Sequence, residues 1–446
     1  MSNIQFVEKR SGDIVPFNPE RITNAIYRAA VAVGGRDRDT AERLSAQVVE
    51  KLEENCPQNC TPTIEDIQDW VEKVLIENGH AKVAKAYILY RQERAQHRLE
   101  RAQRAMRPSE NIPWPKIWHV LDWAVSHAVH TIESYNHKVE QGELAQIIIA
   151  SEAAYNEDVE NATEMIAARK DELRMVIITG PSSSGKTTTT MKVGQRLRRL
   201  GFNLVTLNVD NYFFDLEMHP RDEFGDYDFE TPQALDLELI DNHLSRLING
   251  EEVYIPYYDF KTGKRYLDHT PMRLASDEVI LIDSLHGLFP TMTQAIPDEQ
   301  KFKLYLEPLL QMKDSRGRYV RWTDLRLIRR MLRDASHRAY DPTRTLLHWH
   351  YVRASELRNI IPYINSTDYI INSAMPYELA IYKHKLFTQF GRWAEEYRDD
   401  PLRKDAYMRA DRIFQVLQEI NPIQDDSIVP ADSVLREFIG GSCYEY

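Results

Sequence analysis

Cysteine is scarce in this sequence: the chain of 446 residues contains three. Three cysteines cannot build a disulfide framework, and such sparing use is typical of a reducing compartment, so we expect a cytoplasmic protein. No stretch approaches the roughly 18 uninterrupted apolar residues that a membrane-spanning helix needs, so no membrane span is expected. Residues 1–5 lack the basic segment and apolar core of a secretory signal, so none is expected either.

A surplus of positive charge is also lacking. Lys and Arg number 56 against 68 Asp and Glu, which gives a formal net charge of −12. A chain with this balance is not built to coat nucleic acid, so a nucleic-acid partner is unexpected. The 43% of apolar and 28% of charged residues are ordinary for a globular protein. The length suggests roughly two to four domains.

The N-terminal part of the chain has the pattern of a β-hairpin followed by helices. Two short segments, 4–9 and 14–17, flank a Ser-Gly-Asp turn whose Gly can adopt a positive φ, which predicts the hairpin. Asn18 and Pro19 are suited to the start of a helix. Further helices are predicted over about 39–54, from Thr63 and from His80. The Arg-rich stretch 91–107 is predicted to be a solvated connector helix. The alternative is that it binds phosphates or nucleic acid.

The pattern changes after a cluster of prolines at 108, 113 and 115, which predicts a domain boundary near 108. Residues 116–172 are predicted to be helical. From 173 onward, short apolar runs alternate with helices. The candidate strands are 175–179, 204–209, 278–282, 302–306 and 369–372. Most are continuous apolar runs, which is typical of strands buried on both faces, so we expect a doubly wound parallel sheet.

Residues Gly180 to Thr187 read GPSSSGKT and match the pattern G-x-x-x-x-G-K-[ST]. The motif follows a predicted strand and opens a predicted helix, as it should. Its backbone N–H groups and the helix N-terminus would surround phosphates. Lys186 would reach the β- and γ-phosphate oxygens and is a candidate catalytic residue, while the Thr187 hydroxyl would complete a Mg²⁺ shell. The predicted ATP-binding residues here are Gly180, Ser182, Ser183, Ser184, Gly185, Lys186, Thr187 and Thr188.

Two predicted strands end in a carboxylate. Asp210 follows the strand after the motif, where it could accept the proton of an attacking hydroxyl group. Asp283 ends the strand at 278–282 in a Walker-B-like position and would hold Mg²⁺ directly or through water. Considered without the motif, Asp210 could be an ordinary residue at a strand end and Asp283 a helix N-cap.

Residues 323–334 form an arginine-dense helix. Arg326, Arg330 and Arg333 share one face at i, i+4 and i+7, and Arg338 follows. Such a face suits a mobile lid that closes on a transferring phosphoryl group and excludes water. The alternative is a solvated basic helix.

Residues 173–395 resemble the uridine kinase and phosphoribulokinase family of P-loop kinases. The segments that carry the resemblance, in the family's order and spacing, are GPSSSGKTT at 180–188, VDNYFF at 209–214, DFETPQALD at 228–236, IPYYDFKTGKR at 255–265, ILIDSLHGL at 280–288 and RLIRRMLRD at 326–334.

The resemblance implies a role for each matching residue. Asp210 would be the catalytic base, and Glu230 would contact the acceptor sugar. Tyr258 and Phe260 would belong to the hairpin that covers the acceptor base. The lid arginines Arg330, Arg333 and Arg338 would contact sugar and phosphates: Arg330 and Arg333 in catalysis, Arg330 also at the acceptor, and Arg338 at ATP.

Three departures from the family pattern concern the acceptor. The family's Y-D-H-P reads FETP at 229–232 in this chain. Gly263 stands where uridine-cytidine kinases carry a base-reading His, and Tyr340 where they tend to have Arg. The chemistry is therefore better supported than the acceptor, and uridine is a candidate that we expect to be poor or one among several.

Residues 3–94 resemble the ATP-cone, the allosteric nucleotide module of ribonucleotide reductases. The resemblance rests on VEKRSG at 7–12, PFN at 16–18, EDIQ at 65–68 and AYILYR at 86–91. It implies a four-helix cap under a hairpin that binds ATP or dATP. Lys9 and Arg10 would contact phosphates, and Arg21, which replaces a common Lys, would also belong to this allosteric nucleotide site. Cys56 and Cys60 form one pair with the wrong gap for a zinc ribbon, so a metal is not expected there.

Taken together, the sequence predicts a cytoplasmic, Mg²⁺- and ATP-dependent α/β kinase of a nucleoside-like molecule under allosteric control. A kinase of another sugar or polyol, and a nucleotide-responsive regulatory P-loop ATPase, are the alternatives; a homo-oligomer is left open. The predicted division is a mostly helical ATP-cone with a small β-hairpin at 1–107, a helical connector at 108–172, a P-loop kinase with a parallel sheet and an Arg-rich lid at 173–395, and a helical tail at 396–446.

Overall fold

The computed structural model describes residues 4–8, 14–33, 35, 37–56, 60–89, 91, 111–219, 227, 229–337, 341–400 and 403–445. The chain divides into two units, Met1–Ser109 with Glu396–Lys404, and Glu110–Glu395 with Asp405–Tyr446. Our finer division at 107, 172 and 395 stays a prediction. Most of the Arg-rich stretch 91–107 lies outside the described residues, although Arg91 itself pairs with Asp69 and Glu72 at 2.7 Å.

The first unit contains the expected hairpin and helices. Its elements are β1 (Phe6–Glu8), β2 (Ile14–Pro16), α1 (Pro19–Ala32), α2 (Arg38–Asn55) and α3 (Ile64–Glu77), followed by a helical stretch over 81–89. The strands pair antiparallel, with Val7 opposite Val15. The Asn18 side chain accepts the N–H of Glu20 at 2.9 Å, so the predicted helix start is confirmed. The apolar faces of the helices meet in one buried core.

Cys56 and Cys60 are joined by a disulfide, with their Cα atoms 5.7 Å apart. One such link closes a short loop and is not a framework. The cytoplasmic location stays a prediction.

The second unit is built on a parallel sheet. Its strands are β3 (Met175–Thr179), β4 (Asn203–Asn208), β7 (Glu278–Ser284), β8 (Lys301–Glu307) and β9 (Tyr369–Asn372), in the order β4-β7-β3-β8-β9. All neighbouring strands pair in parallel, and every residue of β3 is buried. The predicted parallel sheet is confirmed. A separate antiparallel hairpin consists of β5 (Glu252–Asp259) and β6 (Lys264–Arg273).

Helices account for most of the remaining chain from residue 114 onward. They are α4 (Trp114–Ser126), α5 (Ile132–Glu140), α6 (Leu144–Ala167), α7 (Lys186–Arg199), α8 (Leu237–Ile248), α9 (Trp322–His337), α10 (Pro342–Asn359), α11 (Glu378–Glu396), α12 (Lys404–Glu419) and α13 (Arg436–Ile439). The predicted helical region 116–172 is broken near Ala128 and Gly142, whose positive φ angles of 53° and 80° interrupt a right-handed helix. Within the described ranges, no helix has the length and apolar character that crossing a membrane would require.

The position of β3 determines where a ligand can bind. This central strand lies between β7 and β8, and its carboxyl end leads through residues 180–185 into α7. In open parallel sheets, ligands bind beyond the carboxyl ends of the strands. The carboxyl ends of β4 and β7 reach the same edge, since Asn208 and Thr179 flank the end of β7.

Candidate active site

Residues 180–187, the phosphate loop, turn tightly around the end of β3. A Cβ atom on Gly180 would lie 2.4 Å from the Leu306 carbonyl oxygen, so only glycine fits at this close approach. Gly185 has φ +95°, a left-handed conformation, and is the N-cap of α7. Ser182, Ser183 and Ser184 are buried. All the predicted ATP-binding residues from Gly180 to Thr188 thus lie in one loop and the first turn of its helix.

Lys186 is the first residue of α7 and points back along the loop. Its Nζ donates to the Pro181 carbonyl at 3.3 Å. Burial lowers the pKa of Lys186, and the carboxylates of Asp283, Glu437 and Glu230 oppose that shift. A desolvated ammonium surrounded by carboxylates is suited to pairing with a polyanion such as a phosphate chain.

Thr187 and Asp283, the two predicted metal ligands, lie together. Burial raises the pKa of Asp283 to about 6, and the neighbouring Thr187 side chain acts in the opposite direction. A hydroxyl and a carboxylate are the oxygen ligands that Mg²⁺ prefers. The donor set therefore fits Mg²⁺, and the metal role stays a prediction.

Asp210 lies beside this pair, in a short 3-10 turn after β4. Its N–H donates to the Asn208 side chain at 3.0 Å, which fixes the turn. Its side chain is exposed, and its charge helps to raise the pKa of Asp283. The two carboxyls therefore lie near each other at one edge of the sheet, with Asp210 towards solvent.

Arg330 joins the phosphate loop to the acceptor side. One guanidinium nitrogen donates to the Ser182 hydroxyl at 2.7 Å and to Glu230 at 2.9 Å, and Asp334 accepts from its Nε at 2.8 Å. Arg330 therefore links Glu230, predicted to contact an acceptor sugar, to the loop that would hold a phosphate. Arg333 lies one turn along α9, 3.7 Å from Asp334 and 4.0 Å from Glu437.

Arg326 differs from the predicted arrangement, in which its spacing placed it on one lid face with Arg330 and Arg333. Its side chain is fully buried, pairs with Glu356 at 2.9 Å and Glu307 at 3.2 Å, and donates to the Ser182 carbonyl. The reason is that the fold buries this guanidinium away from water, and two carboxylates from distant parts of the chain fix it by ion pairs. It supports the backbone of the loop and is neither a solvated residue nor part of an open lid face.

Arg329 was missed by the sequence reasoning. It is fully buried, pairs with Glu378 at 2.8 Å and donates to the Ser373 carbonyl at 2.7 Å. Ser373 in turn donates to the Ser184 carbonyl at 2.5 Å. A buried ion pair broken on one side typically costs about 3–5 kcal/mol, so this chain of contacts fixes the loop firmly to the end of β9.

An aromatic cluster lies next to Asp210, on the acceptor side. It consists of Phe213, His219, Phe229, Tyr258 and Phe260. The ring centroid of Phe213 lies 5.4–6.1 Å from the ring centroids of the other four. The predicted acceptor residues Tyr258 and Phe260 thus meet at one place. Tyr258 is buried, and its hydroxyl has no hydrogen-bond partner among the described residues. The cluster offers flat apolar faces together with two polar groups, the Tyr258 hydroxyl and the His219 imidazole.

Gly263 has a physical reason to lack a side chain. Its φ is +67°, and a Cβ atom there would lie 2.8 Å from Leu216 Cβ. A base-reading His does not fit at this position. His286, also missed from the sequence, is buried near Lys186 and Glu230, where burial lowers its pKa to about 3. A neutral imidazole is therefore available near the acceptor side.

Four residues named in the sequence analysis lie outside the described residues: Lys9, Arg10, Arg338 and Tyr340. Arg21, the other predicted allosteric contact, lies in the first turn of α1 with an exposed side chain. The roles assigned to these five residues stay predictions.

Comparisons with family models match two parts of the chain. Residues 175–379 match the model described as "Phosphoribulokinase / Uridine kinase family". Residues 5–96 match the ATP cone domain. Both matches fall on the regions where the sequence resemblance was drawn, and they agree with it.

Curated relatives match the same two regions. Uridine-cytidine kinase B of Dictyostelium discoideum is 30% identical over 161 residues, 36% of this chain and 58% of that protein. A uridine kinase of Deinococcus deserti is 30% identical over 199 residues, 44% of this chain and 84% of that protein. A vitamin B12-dependent ribonucleoside-diphosphate reductase of Thermoplasma acidophilum is 40% identical over 103 residues, 22% of this chain and 13% of that protein. The chain thus spans a little over half of the Dictyostelium kinase and a small part of the reductase.

Proposed function

The chain belongs to the phosphoribulokinase / uridine kinase family, and from this premise we propose that it transfers a phosphoryl group from ATP to a hydroxyl group of a nucleoside-like small molecule. The observation that supports this most directly is Arg330, which contacts both Ser182 of the phosphate loop and Glu230. One guanidinium therefore reaches the donor side and the acceptor side at once.

In the proposed reaction, Asp210 accepts the proton of the acceptor hydroxyl while the hydroxyl oxygen attacks the γ-phosphorus of ATP and ADP leaves. Lys186, Arg330 and Arg333 stabilise the charge that develops on the transferred group. Because these cations are held by carboxylates before any ligand arrives, little reorganisation is needed during the reaction.

Thr187 and Asp283 would hold Mg²⁺, whose bound charge offsets that of the phosphates. Their closeness supports this assignment, since a hydroxyl and a carboxylate oxygen are available at one place. The cation comes from solution with the nucleotide.

The aromatic cluster favours an acceptor with a planar base, and Glu230 favours one with neighbouring hydroxyls. A kinase of another sugar or polyol is the second candidate, because Gly263 lacks the side chain that would read a pyrimidine. A regulatory P-loop ATPase is less well supported, since such a protein needs neither Asp210 nor Glu230. A cytoplasmic location and a homo-oligomer stay predictions.

A transfer screen with radiolabelled phosphate over nucleosides, sugars and polyols tests the function. We expect transfer to nucleosides, with uridine a poor acceptor or one among several, since strong discrimination depends on buried polar partners that this site partly lacks. Uridine should not exceed every other acceptor by more than about 10³-fold. Larger discrimination for uridine would contradict our account of the acceptor site. No transfer to any hydroxyl compound would overturn the kinase proposal.

Phe260 provides a matched test of the acceptor site. It is 62% exposed, so Phe260→Ala should not damage the core. We expect a higher KM for the acceptor and an unchanged KM for ATP. Tyr257→Ala is the control, because Tyr257 is exposed on the same hairpin and stacks on Tyr266 and His269, away from the cluster.

The ATP-cone part of the proposal is that residues 5–96 bind ATP or dATP and alter phosphoryl transfer. In a Lys186→Ala background, which weakens the kinase site, we expect Arg21→Ala to reduce the remaining ATP or dATP affinity roughly tenfold, the usual loss of one charged contact. Arg43→Ala, an exposed arginine on α2, is the control. Calorimetry measures both; equal affinities would exclude Arg21 from the site.

Regulation has a thermodynamic signature of its own. If dATP bound to the cone weakens acceptor binding, acceptor must weaken dATP binding by the same factor, typically about 5–150-fold. Acceptor titrations at several dATP concentrations, and the reverse, measure this. A full-length chain whose acceptor affinity ignores both nucleotides would contradict allosteric control.

A further inference from the structure

The last part of the chain lies on the phosphate loop. We define residues 432–441 as the C-terminal plug. Within it, Glu437 accepts two hydrogen bonds from Thr188, from the backbone N–H at 3.2 Å and from the hydroxyl at 3.0 Å. Val434 lies so close to Gly185 that a Cβ atom on this glycine would be 2.4 Å from its methyl group. Both plug residues are buried.

The carboxylate of Glu437 stands where an anion is expected. Thr188 is in the first turn of α7, and unpaired backbone N–H groups at a helix N-terminus bind phosphates. The carboxylate also lies 4.0 Å from the Arg333 guanidinium and acts on Lys186. It therefore draws on the same donor and the same cations that a phosphate chain would use.

The plug is attached by noncovalent contacts. Asp432 is half exposed and pairs with Lys192 at 2.9 Å, and Ser433 donates to Glu152. The Phe438 ring lies 5.0 Å from the Arg329 guanidinium. Beyond it, Gly440 and Gly441 have φ angles of +85° and +73°, and the N–H of Cys443 donates to the Ala431 carbonyl at 2.9 Å. No covalent link within the described residues holds the plug to the loop.

A nucleotide and the plug compete for the same space and the same charge. A phosphate at the Thr188 N–H would displace the Glu437 oxygen that accepts from it. With the plug in place, phosphate and carboxylate would be like charges at contact distance in a partly desolvated site, which is unfavourable. The close contact between Val434 and Gly185 of the phosphate loop would also have to be broken.

We propose that the C-terminal plug is an autoinhibitory segment: Glu437 occupies the position of a nucleotide phosphate at Thr188, and the plug must leave before the nucleotide binds. The inference rests on the proposed function, since it assumes that the phosphate loop binds a nucleotide. The apparent affinity for nucleotide is then reduced by the fraction of molecules in which the plug is displaced.

The first test compares full-length variants by calorimetry with Mg²⁺ and a non-hydrolysable ATP analogue. Glu437→Gln keeps the side-chain size and an oxygen that can accept from Thr188, but removes the charge. We expect it to bind the analogue roughly tenfold more tightly than the wild-type chain, because the competing state loses its charged contact. Glu445→Gln makes the same chemical change at an exposed residue outside the plug, and should bind like the wild type.

The second test needs no variant and is hydrogen exchange of the wild-type chain. Because the plug is buried, its backbone amides should be protected without nucleotide and lose protection when the analogue is added. A plug that is a permanent wall of the site would keep its protection or gain more.

The outcomes separate the two proposals. Analogue binding with unchanged protection of 432–441, or with equal or weaker affinity in Glu437→Gln, overturns the plug and leaves the kinase proposal standing. No analogue binding by the wild type or by Glu437→Gln overturns both. Tighter binding by Glu437→Gln together with lost protection in the wild type is the result we expect.

Discussion

Lys186→Ala should leave no measurable phosphoryl transfer and little ATP binding. The ammonium lies in the buried phosphate loop, where burial lowers its pKa and it donates to the Pro181 carbonyl. Loss of one charged contact weakens binding by about 1.5–3 kcal/mol. Loss of a donor that acts on the transition state lowers kcat by a further factor of roughly 10²–10³. Radiolabelled transfer and calorimetry with ATP measure the two effects separately.

Arg198→Ala is the matched control, since Arg198 is an exposed basic residue at the other end of the same helix. It should bind ATP and turn over like the wild type. Circular dichroism and thermal unfolding would establish that Lys186→Ala is folded. A folded Lys186→Ala protein with turnover within a few-fold of the wild type would place phosphate binding somewhere other than residues 180–187.

The strands and the phosphate loop could be predicted because their signals are local. The bounds of β3 and β9 were predicted correctly, since each is a short apolar run with clear ends. The phosphate loop was predicted from eight adjacent residues and from the predicted strand and helix on either side of them. The helix start at Asn18 likewise depends on neighbouring residues alone. Where chemistry and geometry are encoded within a few residues, sequence reasoning was sufficient.

The parts that could not be predicted depend on contacts between distant residues. Arg329 and Arg330 are adjacent and chemically identical, yet one is locked to Glu378 and the other spans Ser182 and Glu230. Helical spacing predicts which residues share a face of the helix. It does not predict which carboxylates the fold places against each of them. Arg326 was misassigned to the lid face for this reason.

Glu437 shows the same limit more strongly, since 249 residues separate it from Thr188. The sequence around it has no pattern that names its partner. Gly263 is an intermediate case. From the sequence, Gly263 could be recognised as a departure from the family pattern. The physical reason for the glycine, the close approach of Leu216, is visible only in the structure.

Asp210→Asn should lower kcat by about 10²–10⁴-fold, the usual contribution of a general base, and keep the ATP affinity within a few-fold. The amide has the same shape and can still accept a hydrogen bond, but it cannot take up the proton of the acceptor hydroxyl at neutral pH. The side chain is exposed and the turn is fixed by Asn208 through the backbone, so the fold should tolerate the change.

Asp277→Asn is the control for this variant. Asp277 is also exposed, but it precedes β7 and therefore lies at the opposite edge of the sheet, where its contact with Asn203 at 2.6 Å survives the substitution. It should have the kinetics of the wild type. If kcat fell in both variants, the cause would be a loss of protein stability and not the loss of a catalytic group.

The split between kcat and ATP affinity decides what Asp210 does. A base acts only in the transition state, so its loss lowers kcat and kcat/KM together and spares binding. A ligand of Mg²⁺ acts on the bound nucleotide as well, so its loss would weaken ATP binding. Because Asp210 lies near Asp283, both roles are chemically open to it. If ATP affinity collapses in Asp210→Asn while residual turnover at saturating ATP stays high, the residue binds metal, and the base must be sought elsewhere on the acceptor side.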